Sequence, residues 1–227
     1  IMMAVTLVVV SVPEGLPMAV TLSLAYSMRR MLKSNNLVRK MHACETMGAA
    51  TVICTDKTGT LTENQMRVYK TDFFIPQSDA SYIYQGIAVN STAELDHSSE
   101  KTKVLGNPTE GALLLWLENQ GIDYNKLRSE VSMVEELPFS TERKYMATVV
   151  KNEEGTKILY VKGAPEIVFG LCKHYPEGVS KQGIDDLLLG YQAQAMRTLG
   201  FAYQIIKDGD KTIDDKKVIA DNLTFIG

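Results

Sequence analysis

One aspartate within a run of small and hydroxyl-bearing residues is the part of this sequence best suited to chemistry. Asp56 follows a short apolar run, residues 51–54, and precedes Lys57, Thr58 and Gly59. An apolar run that ends so abruptly is typical of a buried parallel strand leading into a phosphate-handling loop. In open α/β sheets such chemistry lies at the carboxyl ends of strands, where a carboxylate can attack phosphorus and form an aspartyl-phosphate. The alternative is a surface turn between two strands.

A second candidate lies in the apolar residues 1–26, whose one charged residue is Glu14. About 20 apolar residues span a bilayer, so we expect a membrane helix; a buried helix of a soluble protein is the alternative. Pro13 frees the carbonyl of Val9, and Pro17 follows shortly after. Non-helical backbone at membrane depth is tolerated where it lines a cavity, and an ionisable group there is a functional-site hypothesis. Free carbonyls beside a carboxylate suit a hard cation.

Composition argues against several other kinds of site. The net charge of −3 gives no general attraction to nucleic acid. The three cysteines and three histidines lack metal-ligand spacing, and so few cysteines favour a reducing compartment without disulfides. A length of 227 residues and 45% hydrophobic content fit one or two domains. Because apolar runs lie at both ends, we expect a fragment of a longer protein.

The elements that must position these residues follow from local patterns. Residues 79–103 are polar and predict an exposed loop. Asn107 and Pro108 predict a helix start, and Glu110 stands at a capping-box-like spacing. The remaining predicted elements are helix 108–119, strand 145–150, strand 157–161, helix 165–172, helix 184–199 and strand 201–206. Basic residues after the apolar run place its carboxyl end in the cytoplasm by the positive-inside rule; they are Arg29, Arg30, Lys33, Arg39 and Lys40.

The unbroken string from Asp56 to Thr62 resembles the phosphorylation motif of P-type cation-transporting ATPases. The resemblance implies that Asp56 is the phosphorylated aspartate, with Lys57 and Thr58 as catalytic neighbours. Related haloacid-dehalogenase-like phosphatases usually carry a second aspartate, a general acid, where this chain has Thr58. That departure favours a pump over a soluble phosphatase.

The Pro-Glu-Gly-Leu-Pro string resembles the unwound centre of the fourth transmembrane helix of the same family. The resemblance implies that Glu14 is a ligand of the transported cation, helped by backbone oxygens of Val9, Val10 and Val12. The second proline of this string, Pro17, resembles the residue that calcium pumps have at this position. The sequence after the apolar run is most similar to the plasma-membrane branch of calcium pumps.

Further resemblances imply an ATP site. Glu110 matches an acceptor for the adenine amino group, with helix capping as its alternative role. Phe139 matches the ring that stacks on adenine, with a core position as the alternative, and Lys144 lies near the nucleotide. Many relatives have arginine where Thr141 stands, which removes one expected phosphate contact.

The Lys-Gly-Ala-Pro-Glu string also resembles a motif that lines the family's ATP pocket. The resemblance implies that Lys162 and Gly163 lie beside the nucleotide. A lysine at a strand end is otherwise simply a solvated charge. Arg197 matches an arginine that contacts phosphate. Its alternative role is a charged cap near a helix end.

The predicted fold is α/β. It comprises the start of a haloacid-dehalogenase-like Rossmann phosphorylation domain with an inserted α+β nucleotide-binding domain, an antiparallel sheet flanked by helices, preceded by part of a transmembrane helix. The predicted segments are residues 1–27, transmembrane helix; 28–66, linker helix and first part of the phosphorylation domain; 67–221, nucleotide-binding domain; and 222–227, return to the phosphorylation domain.

The resemblance implies ATP-driven cation transport through an aspartyl-phosphate, with calcium export as the expected reaction. The implied cofactors are ATP and Mg²⁺, the latter at Asp56 and Thr58, and Ca²⁺ is the transported ion. Another cation (Mn, Na/K or H) and a nucleotide-binding sensor module are the alternatives. The implied partners are the lipid bilayer and the rest of the polypeptide, namely the actuator domain, the second half of the phosphorylation domain and other transmembrane helices. An integral membrane protein with residues after about 27 in the cytoplasm is expected.

Overall fold

The computed structural model divides the chain into two compact units, Ile1–Asn64 and Gln65–Gly227. It describes residues 15–57, 59–63, 65–98, 102–207, 210 and 212–227. The described helices are α1 Gly15–Lys33, α2 Ala43–Gly48, α3 Ala80–Val89, α4 Pro108–Asn119, α5 Tyr124–Ser129, α6 Pro165–Leu171 and α7 Lys181–Ala193, with a 3₁₀ turn at Gln77–Asp79. The described strands are β1 Glu94–Asp96, β2 Lys103–Leu105, β3 Val131–Leu137, β4 Tyr145–Asn152, β5 Lys157–Gly163, β6 Gly200–Ile206, β7 Ile213–Asp214, β8 Lys217–Val218 and β9 Thr224–Phe225.

The first unit contains α1 and α2. Within α1, the Thr21 hydroxyl donates to the Pro17 carbonyl at 2.8 Å, and basic residues occupy the last turn. Among the helices that the structure describes, none combines the length and apolar character needed to cross a membrane. The predicted cation ligands Glu14, Val9, Val10 and Val12 lie outside the described residues.

The predicted strand before Asp56 is not formed. Residues 51–54, all of them described, carry no strand, and Val52 and Ile53 are 76% and 85% exposed. A buried parallel strand needs hydrogen-bonded neighbours, and the described residues of this unit contain no strand that could pair with it. The apolar pattern therefore predicted a strand whose partners these residues do not supply.

The second unit is built on an antiparallel sheet. Within the described residues, five strands pair in the order β3-β4-β5-β6-β9. β4 is buried along six consecutive residues, 145–150, because helices cover both faces of the sheet. This observation confirms the predicted antiparallel sheet flanked by helices.

The two faces carry different apolar clusters. Leu159 and Val161 of β5 pack with Val168 of α6 and Ile184 of α7. On the opposite face, Ile158 and Tyr160 cluster with the end of α3, and α3 also packs with α4. This alternation follows from strand geometry, since successive side chains point to opposite faces.

The outer strands are irregular. β3 is exposed along most of its length, and its pairing with β4 shifts register between Met133 and Glu135, as in a β-bulge. At the other edge, β9 pairs with β6 over two residues, 224 and 225. Residues 222–227, which the sequence predicted to return to the phosphorylation domain, pack within this unit, and Ile226 is buried.

Local signals predicted most elements of this unit. Helix 108–119 has the predicted bounds, and the hairpin of β4 and β5 turns at Gly155, whose N–H donates to Asn152. The predicted exposed loop over 79–103 is wrong, because it contains α3, whose Ile87 is buried against α4.

The prediction of a helix over 184–199 is also wrong at both ends. α7 begins earlier, where the Ser180 hydroxyl accepts from Gly183 N–H at 3.1 Å, and it ends at Ala193. Ala195 has a φ of +56°, a left-handed conformation that does not continue a helix.

Candidate functional site

Several connections meet at one end of the central sheet. In the register of the three middle strands, Tyr145 of β4 pairs with Gly163 of β5, which pairs with Gly200 of β6. The loop before β4, the turn after β5 and the residues before β6 therefore lie at the same end. The loop before β4 and the residues before β6 carry predicted nucleotide-binding residues, and Lys162 and Gly163 end β5 at the same place, so the fold brings together residues that are distant in the sequence.

A buried ion pair lies just inside this end. The Lys162 Nζ atom is 3.0 Å from Oε1 of Glu110, and the two residues are only 4% and 6% exposed. Lys162 stands near the end of β5, and Glu110 stands in the first turn of α4. The solvated role considered for Lys162 is thus wrong, because its ammonium group is buried against a carboxylate.

The loop between α3 and β1 supplies the other hydrogen bonds of the pair. Lys162 Nζ also donates to the carbonyl oxygen of Asn90. Oε2 of Glu110 accepts from the N–H of Thr92 at 2.8 Å and from its hydroxyl at 2.9 Å. Buried charges are tolerated when they are paired and hydrogen-bonded in this way.

The capping-box role considered for Glu110 is wrong. Its carboxylate oxygens are engaged by Lys162 and Thr92, on the side of the loop rather than of the helix N-terminus. Asn107 is the N-cap, as predicted, and its Oδ1 accepts from the N–H of Thr109 at 2.9 Å. Glu110 therefore has no capping role among the described hydrogen bonds, and its carboxylate forms the buried pair with Lys162.

Burial and charge set the titration of the pair. Burial by itself would raise the pKa of Glu110, but the Lys162 charge and the hydrogen bonds from Thr92 and Lys162 outweigh it and lower that pKa. Burial lowers the pKa of Lys162, and Glu110 opposes that change by stabilising the ammonium form. Because each group has the other as its counter-charge, we assign the pair as carboxylate and ammonium at neutral pH.

Asn90 links the pair to the sheet. Its Oδ1 accepts from the Thr148 hydroxyl at 3.0 Å, and its side-chain N–H donates to the Tyr160 carbonyl at 3.5 Å. Sequence reasoning missed Asn90 and Thr92, since both fell in the segment predicted to be a polar loop. Their partners are distant in the chain, and no local pattern indicates them.

Arg197 reaches the start of α4. Its Nη1 donates to the Thr109 hydroxyl at 2.9 Å, which brings an exposed guanidinium beside the residue that precedes Glu110. The helix-cap role considered for Arg197 is not observed, because α7 ends at Ala193 and Arg197 lies beyond it.

The loop before β4 carries the other two predicted residues. Phe139 is 55% exposed, so its alternative role as a core aromatic is wrong. Lys144 is exposed and has a φ of +60°; its N–H donates to Ser140 at 2.7 Å, and its carbonyl accepts from Ala164 at 2.9 Å. A side chain at Gly163 would place its Cβ 2.4 Å from the Lys144 carbonyl oxygen. Gly163 therefore permits a backbone contact that holds the two connections together.

The loop around Asp56 is exposed. The Lys57 N–H donates to Asp56 Oδ1 at 2.7 Å, and the Gly59 N–H donates to the Thr62 hydroxyl at 3.3 Å. Thr58 lies outside the described residues. An exposed carboxylate is a ligand type that Mg²⁺ prefers, so Asp56 fits that ion. No cluster of three or more His, Cys, Asp or Glu side chains that could hold a metal occurs among the described residues.

The end of the sheet thus combines features that suit an anionic ligand with a planar ring. An exposed aromatic ring offers a stacking surface, and the exposed side chains of Lys144 and Arg197 offer cations. The buried pair adds an acceptor and a donor at fixed positions.

Comparison with known proteins gives a consistent result. A family model described as "P-type ATPase, cytoplasmic domain N" matches residues 80–227. The chain is 41% identical to the calcium-transporting ATPase PAT1 of Dictyostelium discoideum, over 99% of the chain and 22% of the relative. It is 40% identical to calcium-transporting ATPase 10, plasma membrane-type, of Arabidopsis thaliana, over 96% of the chain and 22% of the relative. It is 38% identical to calcium-transporting ATPase 5, plasma membrane-type, of Oryza sativa subsp. japonica, over 94% and 22%. The chain spans about a fifth of the length of these curated relatives.

Proposed function

The chain belongs to the P-type ATPases, and we propose that it is part of an ATP-driven pump that exports calcium from the cytoplasm through a phosphorylated Asp56. The observation that carries the proposal is the buried Glu110–Lys162 pair at the end of the sheet near Tyr145, Gly163 and Gly200, within the region matched by the family model. Stability alone does not require a buried ion pair at this position, since apolar residues often replace such pairs without loss of stability.

The second unit would hold ATP. Oε1 of Glu110 accepts one described hydrogen bond, from Lys162, and a carboxylate oxygen has two lone-pair sites. One site therefore remains for the adenine amino group. Phe139 would stack on the base, which is favourable for an exposed ring.

The phosphates would meet the exposed cations. Lys144 and Arg197 would supply positive charge, and Lys162 and Gly163 would lie beside the nucleotide. Charge-assisted hydrogen bonds to phosphate are stronger than neutral ones. Thr141 has no positive charge, so one contact expected from the family would be missing here.

Asp56 would receive the γ-phosphoryl group. Its exposed carboxylate would attack phosphorus in line with the departing ADP oxygen, so that an Asp Oδ–P bond forms as the P–O bond to ADP breaks. Lys57 and Thr58 would orient that group. Bound Mg²⁺ would supply charge neutralisation for the phosphate oxygens.

The output of the reaction would be at the membrane. We propose that residues 1–27 form a transmembrane helix, with Glu14 and the backbone oxygens of Val9, Val10 and Val12 as ligands of the transported Ca²⁺. Phosphorylation in the cytoplasm would then change cation affinity, a coupling between distant sites. The bilayer, the actuator domain, the other transmembrane helices and the remainder of the phosphorylation domain would be its partners.

We assign residues 28–66 to the linker helix and the start of a haloacid-dehalogenase-like phosphorylation domain, and residues 67–221 to the nucleotide-binding domain. The names of the relatives support calcium as the cargo, since all three are called calcium-transporting ATPases. Manganese, sodium or potassium, and protons are competing cargoes.

The test uses the full-length protein in membrane vesicles. We expect Ca²⁺ to stimulate ATP hydrolysis more than Mn²⁺, and Asp56→Asn to abolish hydrolysis while ATP still binds. Glu14→Gln should lower the sensitivity to Ca²⁺ without preventing ATP binding. Stimulation by neither ion in the wild type would refute the calcium assignment, and ATP binding without any phosphorylation of Asp56 would favour a sensor module instead.

A further inference from the structure

We propose that Arg128 is a positioning residue for the nucleotide site: it fixes residues 88–93 so that their backbone and side chains hold the Glu110–Lys162 pair. Arg128 has no place in the resemblance that identified the site residues. The inference rests on the proposed function for its link to ATP, and the experiment below separates the two.

The Arg128 guanidinium binds three carbonyl oxygens of one short segment. Its Nε donates to Ala88 at 2.8 Å, and its Nη2 donates to Ser91 and to Ala93 at 3.0 Å each. The last carbonyls of a helix have no partner within the helix, and Ala88 lies in the last turn of α3. The planar fork of arginine can reach several such acceptors at once, whereas a lysine ammonium acts as a point charge.

Arg128 is itself held in place. Its guanidinium lies 5.0 Å from the centre of the Tyr124 ring, one helical turn away on α5. The Tyr124 hydroxyl in turn accepts from the N–H of Leu95, just beyond the segment. The α5 helix therefore contacts residues 88–95 through both Arg128 and Tyr124, and Arg128 is partly buried.

The same segment, residues 88–93, also supplies hydrogen bonds to the ion pair. Asn90 supplies the carbonyl that accepts from Lys162, and Thr92 supplies the two donors to Glu110. Three of the hydrogen bonds that compensate the two buried charges thus come from residues lying between the carbonyls that Arg128 binds. If the segment relaxes, Lys162 and Glu110 lose partners together, and their presentation to a nucleotide changes.

The test compares ATP binding by Arg128→Ala, Arg128→Gln and Arg128→Lys in the full-length protein, by titration calorimetry. We expect Kd for ATP to rise about tenfold in R128A, which corresponds to one or two lost hydrogen bonds. R128K keeps the charge but not the fork, so we expect partial rescue, a rise of about threefold. Lys126→Ala removes an exposed cation from the same helix and should leave Kd unchanged.

A second readout separates positioning from general loss of stability. The carboxyl carbon of Glu110, followed by NMR as a function of pH, should titrate at a higher pH in R128A and R128Q, because the Thr92 donors are no longer held against it. Arg128 also acts on the pair through its charge, which lowers the pKa of Lys162. R128K keeps that charge but not the fork, so it should show part of the same upward change if positioning is the cause. Wild-type Kd in folded R128A would overturn the proposal, as would a raised Kd with an unchanged Glu110 titration. If the wild type binds no ATP, the proposed function fails, and the Glu110 titration still decides whether Arg128 positions the pair.

Discussion

Replacing either partner of the buried Glu110–Lys162 pair should destabilise the second unit far more than a surface pair would. Removal of one partner from a buried ion pair typically costs about 3–5 kcal/mol, since it leaves an uncompensated charge. In Lys162→Met, the Glu110 carboxylate keeps its two bonds from Thr92, so we expect the lower end, about 3 kcal/mol. In Glu110→Gln, Lys162 keeps only neutral oxygens as partners, and we expect about 3–4 kcal/mol.

The double variant tests whether these losses are coupled. Once both charges are gone, neither is left unpaired, so the double variant should lose at least about 2 kcal/mol less than the sum of the single variants. The measurement is urea unfolding of the 227-residue chain, followed by fluorescence of Trp116, the one tryptophan of the sequence. Trp116 is half-buried on α4, with its ring 5.9 Å from that of Phe73, so it reports on the packing of this unit.

The surface pair of Lys173 and Asp221 is the matched control. Its atoms approach to 3.3 Å, but the side chains are 62% and 83% exposed. The same cycle with Lys173→Met and Asp221→Asn should give a coupling below about 1 kcal/mol. If the Glu110–Lys162 coupling is as small as this control, the description of a compensated buried pair is wrong.

The acid limb of stability should report the same pair. The pKa of Glu110 is lowered from its ordinary value of 4.5, so its contribution is fully present above pH 4.5 and is lost as the pH falls through the lower folded-state value. In Lys162→Met the main source of the lowering is absent, and stability should fall less steeply in that acid window. An identical acid limb in both proteins would contradict the charge assignment.

Three further substitutions, the first with a matched control, test the candidate site and the elements that support it. Gly163→Ala should destabilise the unit by about 1–3 kcal/mol and weaken ATP binding, because the new Cβ would lie 2.4 Å from the Lys144 carbonyl oxygen. The control is Gly190→Ala, whose new Cβ would have no neighbouring atom within 4 Å. It should instead stabilise helix α7 by up to about 1 kcal/mol. Phe139→Ala should change unfolding by less than about 1 kcal/mol, since the ring is half-exposed, yet weaken ATP binding about tenfold or more, because base stacking is worth about 1–3 kcal/mol. Asn107→Ala should cost about 1 kcal/mol by removing the helix cap, measured by urea unfolding.

Each substitution has a clear contrary result. Equal stability of the two glycine variants would remove the argument for close backbone contact at Gly163. A large loss of stability in Phe139→Ala would return that ring to the core, and unchanged ATP binding would remove it from the site. For Asn107, unfolding at the wild-type urea midpoint would show that the side chain does not cap α4.

Sequence patterns predicted well where the signal is local. Asn107 followed by Pro108 determines the start of α4 because the cap and the first turn involve neighbouring residues. The hairpin at Gly155 is likewise set by a turn of a few residues. The candidate residues Glu110 and Lys162 were found through resemblance, but their ion pair spans 52 residues of sequence, and no spacing rule predicts it.

Patterns failed where tertiary contacts overrule propensity. Helix α3 carries Gly86 and several β-branched or aromatic residues, which are weak helix formers, so the segment did not resemble a helix. A Cβ at Gly86 would lie 2.8 Å from the ring of Tyr160, so the glycine permits the helix to pack closely on the sheet. The contribution of Arg128 was equally hidden, because its acceptors lie 35 to 40 residues earlier in the chain.

The irregular outer strands of the sheet bear on how this unit behaves at high concentration. A regular, exposed strand at a sheet edge offers unpaired backbone groups to other molecules and invites aggregation. β3 leaves Met133 and Val134 half-exposed, but the register shift beside them twists the strand, and Glu135 and Glu136 add like charges that repel a second copy. At the opposite edge, β9 pairs over two residues, too short to template another sheet. The bulge and the acidic pair thus protect solubility, and straightening β3 while neutralising those glutamates would create an aggregation-prone surface.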